Sequence, residues 1–128
     1  MEIHATHSAT ICRFNDWAFS TERGEESMKL WNTIPTETDI LVTHGPPLGH
    51  GDLCVDGHRA GCAALLHAVE ERVKPRIHAF GHIHEGYGAT TNGETLFLNA
   101  SNCNVNYNKH KLHPPVYIDV PIPLKEDE

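Results

Sequence analysis

The stretch Ala79-Phe80-Gly81-His82-Ile83-His84-Glu85-Gly86-Tyr87-Gly88 sets two imidazoles two residues apart, between glycines that let the backbone turn sharply. If the segment is extended, alternation brings His82 and His84 to one side with Cα atoms ~6.5–7 Å apart. That spacing suits one metal ion held by both rings, or two ions ~3.5–4 Å apart that share them. A third ring, His44, follows the apolar run Asp39-Ile40-Leu41-Val42-Thr43 and precedes Gly45-Pro46-Pro47. Three histidines can bind zinc at about 2.0–2.1 Å and leave a fourth position for water. A water so held has its pKa lowered to about 7 and is a ready nucleophile. His50 and Asp52, in the loop after His44, are candidates for an outer acceptor or a substrate contact. Asn99 and Ser101, at a strand end, are candidates for polar lining. No residue is assigned as the catalytic acid or base.

These side chains need elements to position them. The Asp39–Thr43 run is short and β-branched, which predicts a strand buried on both faces. His44 then lies outside its carboxyl end, where ligands bind in α/β folds. Arg76 to Phe80 predicts a second such strand, delivering His82 and His84, and Glu94 to Asn99 a third beyond a turn at Thr91-Asn92-Gly93. Val116 to Val120 predicts a last strand between prolines, and Thr10 to Phe14 a short early one. Helices are predicted over Glu25–Asn32, with apolar contacts from Met28, Leu30 and Trp31, and from about Arg59 to Val73, where Leu65, Leu66, Ala68 and Val69 recur at helical spacing. Phe14 to Phe19 reads as an aromatic, irregular loop. This alternation of strands and helices gives an α/β layered domain.

Composition narrows the function classes. Seventeen acids against ten Lys and Arg give a net charge of −7, which excludes gripping nucleic acid or an anionic membrane through bulk charge. A phosphate-bearing substrate would need a local cation to invert the field of its site. No apolar run reaches the ~20 residues of a membrane span, and no signal peptide opens the chain, so a cytoplasmic location is expected. The four cysteines lack regular spacing and read as reduced thiols, with Cys62 expected in the core. The histidine count of eleven raises the prior for metal or proton chemistry. Of the others, His78 alternates within a strand and reads as a core or supporting residue, while His67, His4, His7, His110 and His113 read as wholly or partly exposed. Gly-x-Ser-x-Gly, P-loop and dinucleotide motifs do not occur.

Thr43-His44-Gly45-Pro46-Pro47, followed by Gly81-His82-Ile83-His84-Glu85-Gly86-Tyr87-Gly88, resembles the calcineurin-like metallophosphoesterases. With Phe14-Asn15-Asp16-Trp17-Ala18-Phe19, Trp31-Asn32-Thr33-Ile34-Pro35, Gly61-Cys62, Leu65-Leu66 and Asn99-Ala100-Ser101, it is similar to their metallophosphoesterase-domain-containing, UPF0046-like branch. The resemblance implies a divalent metal site of one or two ions, Mn, Fe or Zn, with His44 and His82 on one metal and His84 on the other. It implies hydrolysis of phosphomonoesters or phosphodiesters, nucleotides and cyclic nucleotides among them. It also implies three segments ahead of the His44 motif, an Asp-x-His, a Gly-Asp and a Gly-Asn-His, and none occurs there. The expected fold is therefore the carboxyl-terminal half of a layered α-β-β-α sandwich, a mixed sheet with one or two flanking helices. Residues 14–121 would form this partial domain, 1–13 an unplaced segment and 122–128 a disordered acidic tail. Two alternatives to an active hydrolase stand beside it, a non-catalytic metal- or nucleotide-binding remnant and a fragment of a longer hydrolase. A half domain would expose an apolar sheet face, through which self-association is expected.

Overall fold

The computed structural model describes residues 1–6, 22–108 and 110–122. The strand expected at Thr10–Phe14 and the aromatic loop Phe14–Phe19 lie outside the described residues, as does residue 123 onward of the tail.

Five strands form one mixed sheet in the order β1-β2-β3-β5-β4: β1 Ile3–Ala5, β2 Ile40–Val42, β3 Ile77–Phe80, β4 Gly88–Thr91 and β5 Leu96–Asn99. The first three and β5 run parallel, and β4 pairs antiparallel with β5 at the edge. Register aligns Ile3, Ile40, Ile77 and Leu96 in one row across the sheet, and His4, Leu41, His78 and Phe97 in the next. Because side chains alternate between faces, Leu41, His78, Phe80, Phe97 and Asn99 share one face. Two helices cover it: α1 Glu25–Trp31 and α2 Ala63–His67, which widens without a break into a π-helical stretch Ala68–Val73. The resulting core contains Trp31, Ile34, Leu41, Leu65, Val69, Phe80 and Phe97. Arg72 ties the two helices together, donating to the Trp31 and Ile34 carbonyls at 2.7 Å each, just where α1 ends. The molecule is thus a layered α/β domain.

Several details depart from the sequence reading. On α1, Ser27 and Trp31 face inward, whereas Met28 is 51% exposed. The β2 strand buries Leu41 but leaves Val42 36% exposed, so it is covered on one face rather than two. The second helix begins at Ala63, later than Arg59, because the residues before it are committed elsewhere. Cys62 bridges Pro47 in parallel fashion, and the Ala60 N–H donates to the Asp52 carbonyl at 2.9 Å. Cys62 is buried as expected, and its sulfur caps the helix, accepting from Leu65 N and Trp31 Nε1 at 3.3 Å each. The segment Val116–Val120 forms no ladder. It is an irregular strap fastened at its ends by side chains, Tyr87 Oη to the Pro114 carbonyl and Arg76 to the Pro121 carbonyl, at 2.8 Å each; its flanking prolines have no N–H to offer a sheet.

Candidate metal centre

Parallel strands send their carboxyl ends to the same edge of a sheet, and in open α/β folds that edge is where ligands bind. Here the ladder continues past the strands and stitches their exit loops together. Thr43 N–H donates to the Ala79 carbonyl at 3.0 Å, Gly81 N–H to the His44 carbonyl at 2.9 Å and Ala100 N–H to the Phe80 carbonyl at 2.8 Å. Between these loops lies a cleft of about 630 Å³ whose walls include His44, His82, His84, Ser101, Cys103 and Tyr107.

His44 and His82 face each other, with Nε2 of the first 3.1 Å from Nδ1 of the second. Two nitrogens bound to one ion at about 2.0–2.1 Å stand only a few tenths of an ångström further apart, so this pair fits a shared cation with little movement. His82 is held in place by a strained backbone. Its φ is +70°, and Ile83 N–H closes a three-residue turn onto the Gly81 carbonyl at 2.8 Å. For a side-chain-bearing residue that is the rare, strained hand of such a turn. Burial, reinforced by His44 and His84, lowers the His82 pKa, which favours the neutral ring a metal requires.

His84 lines the same cleft from one turn of 3₁₀ helix, His84–Gly86. Its Nδ1 donates to the Asn104 carbonyl at 3.2 Å, which leaves Nε2 with its lone pair for a ligand, the usual support of a metal-binding histidine. Tyr107 packs edge-on against the ring at 5.0 Å between centroids. The three rings do not converge on one point: among the described residues, His44, His82 and His84 are not a group whose donor atoms all lie within 4.8 Å of one another.

Of the other candidates, Ser101 lines the cleft, and its buried Oγ has no hydrogen-bond partner. Asn99 does not line it; its amide donates to the Gly51 carbonyl at 2.9 Å and to the Ile83 carbonyl at 2.7 Å, fastening two loops. Asp52 is fully buried, accepting from Gly49 N at 3.0 Å, Gly61 N at 3.1 Å and Arg59 at 2.7 Å. Its carboxylate folds the loop and does not reach the cleft. His50 stacks on Phe97 at 3.7 Å and bonds Thr90 Oγ1 at 2.7 Å, also away from the cleft. Cys103 and Tyr107 were not foreseen. Their only signal is position, in the connection leaving the carboxyl end of β5. His113, expected in solvent, is half-buried; it stacks on Tyr87 at 4.4 Å between centroids and bonds the Ser101 carbonyl at 2.8 Å.

Behind the cleft, His78 is fully buried, with Nε2 2.9 Å from Thr43 Oγ1. The Thr43 hydroxyl spends its proton on the Gly45 carbonyl at 2.8 Å, so the ring donates from Nε2, leaving Nδ1 unpartnered. Burial, with a smaller contribution from His50, lowers the His78 pKa from 6.5 to about 3. Between those values the unfolded chain binds a proton that the folded chain refuses, so stability falls as pH drops through this window. The urea midpoint should decrease from pH 7.5 to pH 5, by about 2 kcal/mol of stability from this ring alone. His50 and His82, also lowered, add with the same sign. His78→Gln, whose amide can still donate to Thr43, should show a flatter profile; equal slopes would assign the pH dependence elsewhere.

No family model matches the chain. It is similar to a UPF0046 protein of Caenorhabditis elegans, 49% identical over 86% of this chain and 27% of the worm protein. Metallophosphoesterase domain-containing protein 1 of Homo sapiens is 50% identical over 86% of this chain, which spans 33% of the human protein. A second UPF0046 protein of Caenorhabditis elegans is 47% identical over 84% of this chain and 39% of its own length. As a stretch covering 27–39% of such relatives, the chain belongs to the UPF0046, metallophosphoesterase domain-containing branch.

Proposed function

We propose that His44 and His82 share a divalent cation, that His84, on the same cleft, becomes a ligand when its loop closes toward them, and that the chain acts as a metal-dependent phosphoesterase on small phosphate esters such as nucleotides, cyclic ones included. The observation that carries this reading is the His44–His82 pair, 3.1 Å apart at one wall of the cleft. No carboxylate lines the cleft among the described residues. A cation held by neutral rings keeps its full charge, which suits an anionic phosphate as the counter-charge and disfavours two adjacent ions. Mn, Fe and Zn all accept imidazole ligands. When bound, the ion supplies charge neutralisation and an activated water. The chain's own parts are then distinct. His44 and His82 orient the ion, the carbonyl of Asn104 fixes the His84 ring, and the unpaired Ser101 hydroxyl donates to a phosphate oxygen.

The test is elemental analysis of the purified chain, paired with hydrolysis of a chromogenic phosphodiester and a cyclic nucleotide in the presence of Mn²⁺. The wild type should hold metal and turn over, and His82→Ala/His84→Ala should lose both. Equal metal content and turnover in the two proteins would refute the reading. That no carboxylate lines the cleft among the described residues favours one alternative, a non-catalytic site that binds metal and nucleotide. It predicts metal-dependent nucleotide binding without turnover.

A further inference from the structure

The loop between β2 and α2 carries a convergence of ligand atoms that does not line the histidine cleft. One donor atom each from Cys54, Asp56 and His58 lies within 4.8 Å of the other two. Their spacing, Cys-x-Asp-x-His, is that of alternate residues, and the backbone is closed so that they meet. Leu53 and Arg59 pair as an antiparallel bridge. Cys54 N–H donates to the His58 carbonyl and Gly57 N–H to the Cys54 carbonyl, at 2.9 Å each. Gly57, at φ +88° with open space where a Cβ would stand, makes the tight reversal without strain. The turn is therefore shaped by its own backbone. A further carboxylate stands beside it: Glu85 accepts from the Val55 N–H at 3.0 Å.

We propose that this turn is a binding site for one divalent cation of borderline softness, with Zn²⁺ the best match, through Cys54 Sγ, Asp56 and His58. Thiolate, imidazole and carboxylate are together the ligand set of zinc, with bonds of about 2.0–2.3 Å in a tetrahedron. Mg²⁺ and Ca²⁺ prefer oxygen and would neglect the sulfur. Tetrahedral bonds of that length separate ligand atoms by about 3.5 Å, so the hydrogen-bonded Asp56–His58 pair must part slightly if both are to ligate directly. Its tip can do so, because Asp56 and His58 are exposed and no core packing resists. The existing His58 Nδ1–Asp56 hydrogen bond offers two arrangements. Asp56 ligates directly, or it holds the ring while Nε2 ligates. Water or the Glu85 carboxylate completes the tetrahedron. An exposed Asp–His pair alone would mean little; the thiol brought onto that pair by a preclosed turn is what selects a soft-tolerant metal.

Cobalt(II) is the probe, titrated into the whole 128-residue chain under reducing conditions. The wild type should develop a thiolate-to-cobalt charge-transfer band that is abolished by Zn²⁺. The band should persist in His44→Ala/His82→Ala/His84→Ala, which separates this site from the cleft and from the fate of the phosphoesterase reading. Cys54→Ser should remove the band. His58→Ala should weaken the band-forming event by at least the roughly 10–100-fold that loss of a supporting partner costs a metal site. His58 is exposed and Cys54 half-buried outside the core, so circular dichroism should match the wild type. If the triple variant fails to fold, the comparison of wild type with Cys54→Ser decides alone. No band in the wild type overturns the proposal, and so does a band that survives Cys54→Ser.

Discussion

Gly86→Ala should destabilise the chain by about 3–5 kcal/mol, the largest effect expected of any single methyl group here. A Cβ at this position would fall on the Gly51 carbonyl, deep inside van der Waals contact, and 2.9 Å from the Asn99 amide nitrogen. Neither obstacle can step aside. The Gly51 carbonyl accepts from Asn99 Nδ2, and the same nitrogen donates to the Ile83 carbonyl, so moving one partner unfastens the other. Against a total stability of about 5–15 kcal/mol for a domain, a loss of this size should lower the melting temperature by roughly ten to twenty degrees. Two comparisons isolate the cause. Gly61→Ala meets the Pro47 carbonyl with similar severity, whereas Gly81→Ala meets only Ser101 Oγ at 3.3 Å and should be mild. If Gly86→Ala and Gly81→Ala melt together, the two loops do not approach each other as closely as described.

That contact also explains what the sequence could and could not reveal. The strands β2, β3 and β5 were readable because each is an apolar run ended by a polar or glycine-containing turn, and their parallel pairing follows from the helices and loops between them. The outer strands were not. β4 is exposed along its whole length, so it has no hydrophobic signature, and only its antiparallel partner makes it a strand. The three residues of β1 pair in register with Ile40–Val42, and the Glu2 carbonyl extends the ladder at one end, accepting from Asp39 at 2.9 Å and Ile40 at 3.1 Å. Such a strand exists by tertiary contact rather than by propensity.

The site divides in the same way. His44 and His82 could be placed together because each follows a strand, and exit loops of neighbouring parallel strands must meet. The role of Asp52 could not be read. Its partners Gly49 and Arg59 are local, but its burial depends on Gly61 returning to it over the bridge between Pro47 and Cys62. A carboxylate in a glycine-rich loop near a histidine looks like a site residue until that closure is known. Tyr107 reaches His84 only because the 102–108 connection folds back over the cleft, a path fixed by Asn104, whose side-chain oxygen accepts from Asn106 and Asn108 at 3.0 Å each.

The strained turn at His82 supplies the second large effect, and it separates stability from function in one position. His82→Ala should abolish cation binding in the cleft, since it removes one of the two rings that face each other at 3.1 Å. His82→Gly should abolish it equally, yet give a more stable protein than His82→Ala, by about 1–2 kcal/mol, because only glycine occupies a φ of +70° without crowding its own Cβ. Set against the wild type, the glycine variant should match or exceed its stability in the absence of metal, since it relieves backbone strain and loses little packing from a half-buried ring. Isothermal titration with Mn²⁺ or Zn²⁺ and urea unfolding in a chelator check the two halves independently. Cation binding measured in His44→Ala/His82→Gly/His84→Ala must be ascribed to the Cys54 turn, so the comparison is made with Cys54→Ser in every background. If glycine and alanine at position 82 prove equally stable, the turn carries no strain. If both bind cation in the cleft as the wild type does, His82 is not a ligand. Equal loss of metal with opposite changes in stability is the split expected of a chain that holds an imidazole at a backbone position favouring glycine.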